Sequence, residues 1–245
     1  MTKLVPRLMA CGDAALTVDF GNVISVEVNR RVHALDAALL ALCLEGVIET
    51  VPTYRALCIH FDPIALPIAR LERKVQALVD CDEVPVAPAG RWKVPVVFGG
   101  PFGMDLEDCA HAAGLSPNAY VARFLTPVYR VMMVGFMPGF SYLANLPDAL
   151  ARPRRATPRA AVPAGSVSIG GVQAAIGSVE GPSGWHMLGR TPAMPFQPGR
   201  EPLFLFAAGD EIRFVEVPPS DWDALQAAAR EGAPVVQRDD SRLDR

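Results

Sequence analysis

Ala15-Leu16-Thr17-Val18-Asp19-Phe20 alternates apolar and polar residues, and from Val28 the apolar positions Val32, Leu35, Leu39 and Leu42 switch to a 4-3-4-3 spacing. Period two puts Leu16, Val18 and Phe20 on one face of a strand, while the wider spacing lays an apolar stripe along a helix. Gly46 supplies the stop. Working outward, residues 47–51 and 55–61 read as two strands about Pro52-Thr53-Tyr54, with Leu57, Ile59 and Phe61 on one side. Ile68, Leu71, Val75 and Leu78 mark a second helix, and residues 92–97 a last strand. The order β-α-β-β-α-β is the ferredoxin-like split βαβ arrangement.

Pro and Gly then cluster in residues 84–90, as in a linker between domains. Beyond it the pattern changes. Residues 105–114 and 117–125 read as short helices, the second begun by Ser116 as N-cap with Pro117 in the first turn. From Tyr129 onward, apolar runs at 131–134, 166–169, 173–176, 203–206 and 212–217 alternate with turn residues. Short strands so spaced predict a closed or nearly closed β-barrel. Residues 221–230 read as a terminal helix, and the charged residues 239–245 as a frayed tail. The expected class is α+β: an N-terminal ferredoxin-like α/β domain (1–88), a β-barrel domain (89–220), and a C-terminal helix with its tail (221–245).

Bulk properties exclude several functions. The 245 residues are 51% hydrophobic and 20% charged, with a net charge of −3. Nothing in that balance recruits nucleic acid or an anionic membrane. The uncharged stretch of residues 131–147 is interrupted by Gly135, Pro138 and Gly139 and is too short to span a bilayer. Residues 1–8 carry Lys3 and Arg7 without an apolar block behind them, so no signal peptide is expected. Five cysteines, an odd number without C-x-x-C pairing, fit reduced thiols and a cytoplasmic setting.

Three stretches can carry chemistry. Gly181-Pro182-Ser183-Gly184-Trp185-His186-Met187-Leu188-Gly189-Arg190-Thr191-Pro192 crowds an aromatic ring with polar groups between turn-forming residues. Such a loop suits a small-molecule pocket, and it equally suits a barrel corner with a structural Trp; alone it does not decide. Gly135-Phe136-Met137-Pro138-Gly139-Phe140-Ser141-Tyr142-Leu143 offers an aromatic wall or an aromatic plug. Arg154, Arg155 and Arg159 precede the turn Pro163-Ala164-Gly165-Ser166. A guanidinium fork matches a carboxylate or phosphate, although a basic run is also an ordinary solvated surface. Backbone N–H groups of the turn, with the Ser166 hydroxyl, can bind an oxyanion. Gln173 reinforces the group, His186 is an acid/base or a stacking wall, and Arg190 beside Thr191 is the leading binding group. No Walker-type loop and no G-x-S-x-G elbow occurs, and the histidines are scattered singly, so no metal site is expected.

Three ordered motifs carry a resemblance. Gly135-Phe136-x-Pro138-Gly139-Phe140-x-Tyr142-Leu143, Pro158-Arg159-x-x-Val162-Pro163-Ala164-Gly165-Ser166-Val167 and Gly184-Trp185-x-x-Leu188-Gly189-Arg190-Thr191-Pro192 resemble the B subunit of prokaryotic 5-oxoprolinases. The same family, carboxyltransferase subdomains C and D, is described as allophanate hydrolase subunit 1 and as sporulation-kinase inhibitors. Gly209-Asp210-x-Ile212-x-Phe214 fits its final barrel strand. The resemblance implies a cyclophilin-like barrel and an ATP-dependent amide (lactam) hydrolase subunit, inactive without partners. It implies opening of 5-oxo-L-proline to L-glutamate together with two partners, a homologous barrel protein (the C-like subunit) and a third component (the A-like subunit). ATP, with Mg, is the implied cofactor, bound with or on a partner. Arg159, Arg190 and Ser166 are the implied catalytic groups. Phe140, Pro163, Gly165, Gln173, Gly184, Trp185, His186 and Thr191 are the implied substrate-binding positions. Expected together are Phe140, Arg159, Ser166, Trp185 and Arg190 around one cavity. Allophanate hydrolysis and a kinase-inhibiting binding module are the alternatives. The chain departs from the family pattern at Ser183, where Gly is expected, and at Ile176-Gly177-Ser178, in place of an Ile-Tyr-Pro-like segment.

Overall fold

The computed structural model describes residues 5–80 and 90–239. The chain forms two compact units, residues 1–88 and 89–245. The predicted linker, apart from Gly90, lies outside the described residues.

In the first unit, β1 (Arg7–Ala10), β2 (Ala15–Asp19), α1 (Val26–Ala41), β3 (Val47–Pro52), β4 (Ala56–Phe61) and α2 (Ile68–Asp80) follow in order. The sheet order is β1-β2-β4-β3, antiparallel throughout. Leu16, Val18, Leu57, Ile59 and Phe61 share one fully buried face, against which Val32 and Leu39 of α1 and Leu71 and Val75 of α2 pack. Ser25 caps α1 by accepting from the Val28 N–H. The helix ends earlier than its apolar spacing predicts: Leu42 is the C-cap and is exposed. Gly46 then takes φ +91 in the connection to β3, where a Cβ would lie 2.6 Å from that of Leu66.

The ferredoxin-like layout is present, but its outer strand comes from the other end of the sequence. β1 occupies that edge, beside β2. The strand expected there from residues 92–97 exists as β5 (Arg91–Phe98) and belongs to the second unit.

That unit continues with α3 (Leu106–Ala112), α4 (Pro117–Leu125), β6 (Tyr129–Val134), β7 (Ser141–Ala144), β8 (Arg159–Val162), β9 (Ser166–Gly170) and β10 (Gln173–Ile176). It closes with β11 (Gly181–Ser183), β12 (His186–Arg190), β13 (Glu211–Glu216), α5 (Trp222–Arg230) and β14 (Gln237–Arg238). Seven strands run β12-β9-β10-β7-β6-β13-β5, and β5 pairs back onto β12 at Gly189–Phe98 and Arg190–Val97, closing the barrel. Only the β5–β13 pair is parallel among these. Alternation sends Val167, Ile169, Ala174, Ile176, Leu143 and Leu188 into the core. There they meet an aromatic cluster in which the Phe124 ring stacks on Phe214, centroids 5.4 Å apart. A separate two-stranded ribbon, β8–β11, stands apart from the barrel sheet.

Ser116 caps α4, accepting from the Ala119 N–H, with Pro117 in the first turn. Ser116→Ala is expected to cost about 1 kcal/mol, read by urea unfolding. Two outer features differ from expectation. Residues 203–206 contribute a single bridge, Phe196–Phe204, rather than a strand. The tail is not free at Asp239: its carboxylate is buried between Lys93 (3.3 Å) and Arg213 (3.2 Å), and β14 before it pairs with β5.

Candidate functional site

Residues facing each other across antiparallel strands share a face, and the register therefore sorts the predicted residues. On the outside of the barrel one row runs Arg190 of β12, Ser166 of β9 and Gly177 beyond β10. The next runs Met187, Ser168, Ala175 and Tyr142. The floor, on β9 and β10, is made of small buried residues, while the flanking strands carry the large ones.

Trp185 precedes β12 and lays its indole over Gly170, where a Cβ would fall 2.7 Å from the ring. Phe140 and Tyr142 meet that indole edge-on, with centroids at 6.3 and 5.9 Å. Phe136 extends the row, 5.7 Å from Phe140, and is 68% exposed on a backbone with φ +71. The Arg154 guanidinium lies 5.5 Å over the indole. Phe140 and Trp185 therefore come together as predicted, joined by Tyr142 and Arg154. Burial pushes the Tyr142 hydroxyl above its usual range.

Arg190 ends β12. Its Nε and Nη2 donate to the Ala164 carbonyl at 3.2 and 3.0 Å, and its guanidinium lies 4.7 Å over the Trp222 ring. Burial holds its pKa below the usual arginine value. The carbonyl it binds belongs to the Pro163-Ala164-Gly165 turn. Gly165 takes φ +77, donates its N–H to Gly177 and accepts from the Thr191 N–H. The buried Thr191 hydroxyl accepts from Ala193 N–H.

Arg159 is placed differently. It makes a two-pronged ion pair with Asp105, 2.7 and 2.8 Å. The same carboxylate accepts from Arg155 and from the Met187 N–H, each at 2.8 Å. Burial would raise the Asp105 pKa, but the Arg159 bond, the Met187 N–H and both cations outweigh it and hold it below the usual range. Arg159 is therefore a tie between the β8–β11 ribbon and β12, with its fork already filled. Asp105 is the functional-looking residue that sequence reasoning missed.

His186 does not share a wall with Trp185. It faces Ile169 across the ladder, on the core side, with Nε2 2.9 Å from the Pro153 carbonyl. Its buried Nδ1 has no hydrogen-bond partner among the described residues. Neighbouring residues of an extended chain point to opposite faces, which separates the two rings. Gln173 opens β10 opposite Gly170, half-buried. Gly184 passes Pro158 and its carbonyl accepts from Arg155 N–H at 2.7 Å. Of the five residues expected around one cavity, four form two groups along β12, an aromatic group of Phe140 and Trp185 and an Arg190–Ser166 group five residues on, while Arg159 is engaged by Asp105 and joins neither. Along a strand, five residues span about 16 Å.

The Gly181–Pro192 stretch is itself mostly strand. β11 and β12 occupy it, and Leu188 is fully buried in the barrel core.

These features define a two-unit α+β protein, a ferredoxin-like unit followed by a cyclophilin-like barrel. The chain belongs to the carboxyltransferase domain family, subdomains C and D, whose model matches residues 6–206. It is 34% identical to the B subunit of 5-oxoprolinase from Bacillus subtilis (strain 168), over 88% of this chain and 94% of that one. The protein of the same name from Escherichia coli O157:H7 is 33% identical over 85% and 95%. Among solved structures, TTHA0988 superposes with a TM-score of 0.74 at 37% identity; the match covers 83% of this chain and 40% of that one. Urea amidolyase of K. lactis shares the fold, with a TM-score of 0.76 at 17% identity over 98% of this chain and 17% of that enzyme.

Proposed function

We propose that this chain is a component of a 5-oxoprolinase complex that uses ATP to open 5-oxo-L-proline to L-glutamate, and that it is inactive without its partners. The observation that supports it is identity of 33–34% to two proteins named as the B subunit of 5-oxoprolinase, over nearly their whole length. The likeness to urea amidolyase is one of fold and does not argue for allophanate as substrate.

The reaction asks for activation of an unstrained amide, a poor electrophile. ATP supplies that by converting the amide oxygen into a leaving group, which needs cations and preorganised donors. The outer face of this barrel does not fit a triphosphate. Arg159 is neutralised by Asp105, and Arg190 and Arg154 lie at separate groups. In this reading the nucleotide with its Mg is bound with or on a partner. The chain's own part is to present a partly desolvated guanidinium, Arg190, on the strand position paired with Ser166, with Phe140, Tyr142 and Trp185 forming a separate apolar wall further along β12. An arginine held by one carbonyl and a ring keeps its charge uncompensated, ready for a carboxylate or a developing oxyanion.

The test is co-expression with the candidate C-like and A-like partners and measurement of ATP-dependent glutamate release. Release should require this chain and fall about a hundredfold in Arg190→Ala, with the complex still intact on gel filtration. An intact complex without release would sink the reading and leave allophanate hydrolysis or kinase inhibition.

A further inference from the structure

We propose a second binding site in the barrel unit, for a small carboxylate carrying a flat apolar group. A cavity of about 590 Å³ lies among Trp92 of β5, the segment between β12 and β13 (Met194, Gln197, Arg200, Leu205), and the chain from Ala229 to Arg238. Small-molecule sites run roughly 300–1,000 Å³, so the space suits a ligand rather than a stray water. None of the residues of the candidate functional site lines it.

Its chemistry is one-sided. The walls are largely apolar, and among the described residues the charged lining consists of Arg200 and Arg238, without a carboxylate. Arg200 is tied into the wall. Its N–H groups reach the carbonyls of Met194 (2.9 Å), Pro195 (3.4 Å), Pro202 (3.1 Å) and Leu203 (3.2 Å), and the Gln197 side-chain oxygen (3.5 Å). Those acceptors are neutral, so its charge stays uncompensated in a partly desolvated place, and burial lowers its pKa. Arg238 lies 5.2 Å over the Trp92 ring. Stacking uses the face of a guanidinium and leaves its in-plane fork for an anion. The Trp92 indole cannot swing away, because its Nε1–H donates to Asp210 at 2.9 Å, an acid also bound by Gly90 and Ala207 N–H groups. Asp239, beside Arg238, is engaged by Lys93 and Arg213.

One available fork, one fixed positive charge and an aromatic wall select a monoanion over a phosphate dianion. A phosphate has more acceptor oxygens than this lining can satisfy, since the Arg200 donors are spent. The apolar body of the ligand would cover Leu205 and Val236, and the carboxylate would meet Arg238. This site stands independently of the proposed reaction, because its readout is binding rather than turnover.

The experiment titrates the full chain with 3-phenylpropionate, 3-phenylpropanamide and phenyl phosphate, followed by ligand-observed NMR. The expected result is saturable binding of the carboxylate, little of the amide, and weaker binding of the phosphate. Arg238→Ala should weaken the carboxylate roughly ten- to a hundredfold. Leu205→Trp, which fills the cavity, should abolish binding, with each variant's thermal melt confirming the fold. Displacement of the probe by 5-oxo-L-proline would make the site a substrate or effector site of the proposed complex; retention would keep it a site for another carboxylate. Equal binding of acid and amide, preference for the phosphate, or indifference to Arg238→Ala would each overturn the proposal.

Discussion

Asp105→Ala should lower the stability of the barrel unit by about 3–4 kcal/mol, because removing one partner from a buried ion pair strands the charges it compensated. Asp105 is 3% exposed and holds Arg155, Arg159 and the Met187 N–H at once. Its loss leaves a donor of β12 unpaired and frees the ribbon that Arg159 ties down. Both arginine side chains are more than a fifth exposed and can turn to water, which keeps the effect from being larger. Asp105→Asn should cost less, since an amide oxygen can still accept from Met187. All three tryptophans, Trp92, Trp185 and Trp222, lie in this unit, so fluorescence during urea unfolding reports on it alone. The sign with pH follows from the depressed pKa. The stabilisation is fully present above the unfolded carboxylate value, near 4, and fades as pH falls through the lower folded value. The wild type should therefore lose stability in that acid window and the Asn variant should lose less. Equal acid sensitivity of the two would remove Asp105 from its assigned role.

Much of the fold was legible because local pattern and tertiary burial agree. Leu16 and Val18 alternate because one face of β2 is buried, and Ser116 reads as a cap because its hydroxyl does take the Ala119 N–H. β12 was not legible. Its register shifts between Met187 and Gly189, which breaks the alternation that a strand would show. Gly189 looks like a loop residue but is demanded by packing, since a Cβ there would lie 2.6 Å from the Val97 carbonyl oxygen. β1 escaped because it is a largely exposed edge strand without a buried row. Residues 92–97 announced a strand by composition, yet composition does not say which sheet a strand joins. Of the site, the aromatic motif and Arg190 were readable. Asp105 was not, because its arginines stand 50 and 54 residues away and no local signal marks a carboxylate that will be buried between them.

Gly165→Ala should cost roughly 3 kcal/mol or more, well above the ~1–2 kcal/mol that the left-handed backbone alone exacts from a residue with a side chain. Two demands coincide at this position. Its φ of +77 disfavours any Cβ, and a Cβ built there falls 2.2 Å from the Thr191 carbonyl oxygen. That oxygen cannot drift away cheaply, because the Thr191 N–H is bonded to the Gly165 carbonyl at 2.8 Å and the Gly165 N–H to Gly177 at 2.9 Å. Relieving the clash means breaking one of the bonds that fasten the turn between the ends of β10 and β12. Gly171 supplies the comparison: it has φ +64 with nothing within 4 Å of its Cβ position, so Gly171→Ala should show the backbone penalty by itself. The difference between the two variants in urea unfolding measures the contact. The turn also carries the Ala164 carbonyl that anchors Arg190, so a displaced turn releases the guanidinium from the geometry the proposed function requires. Gly165→Ala should therefore reduce glutamate release in the assembled complex by at least as much as Arg190→Ala, whereas Gly171→Ala should leave it near the wild-type level. Equal stability losses in the two glycine variants would show that the Thr191 contact yields without strain, and that the turn does not hold Arg190 by packing.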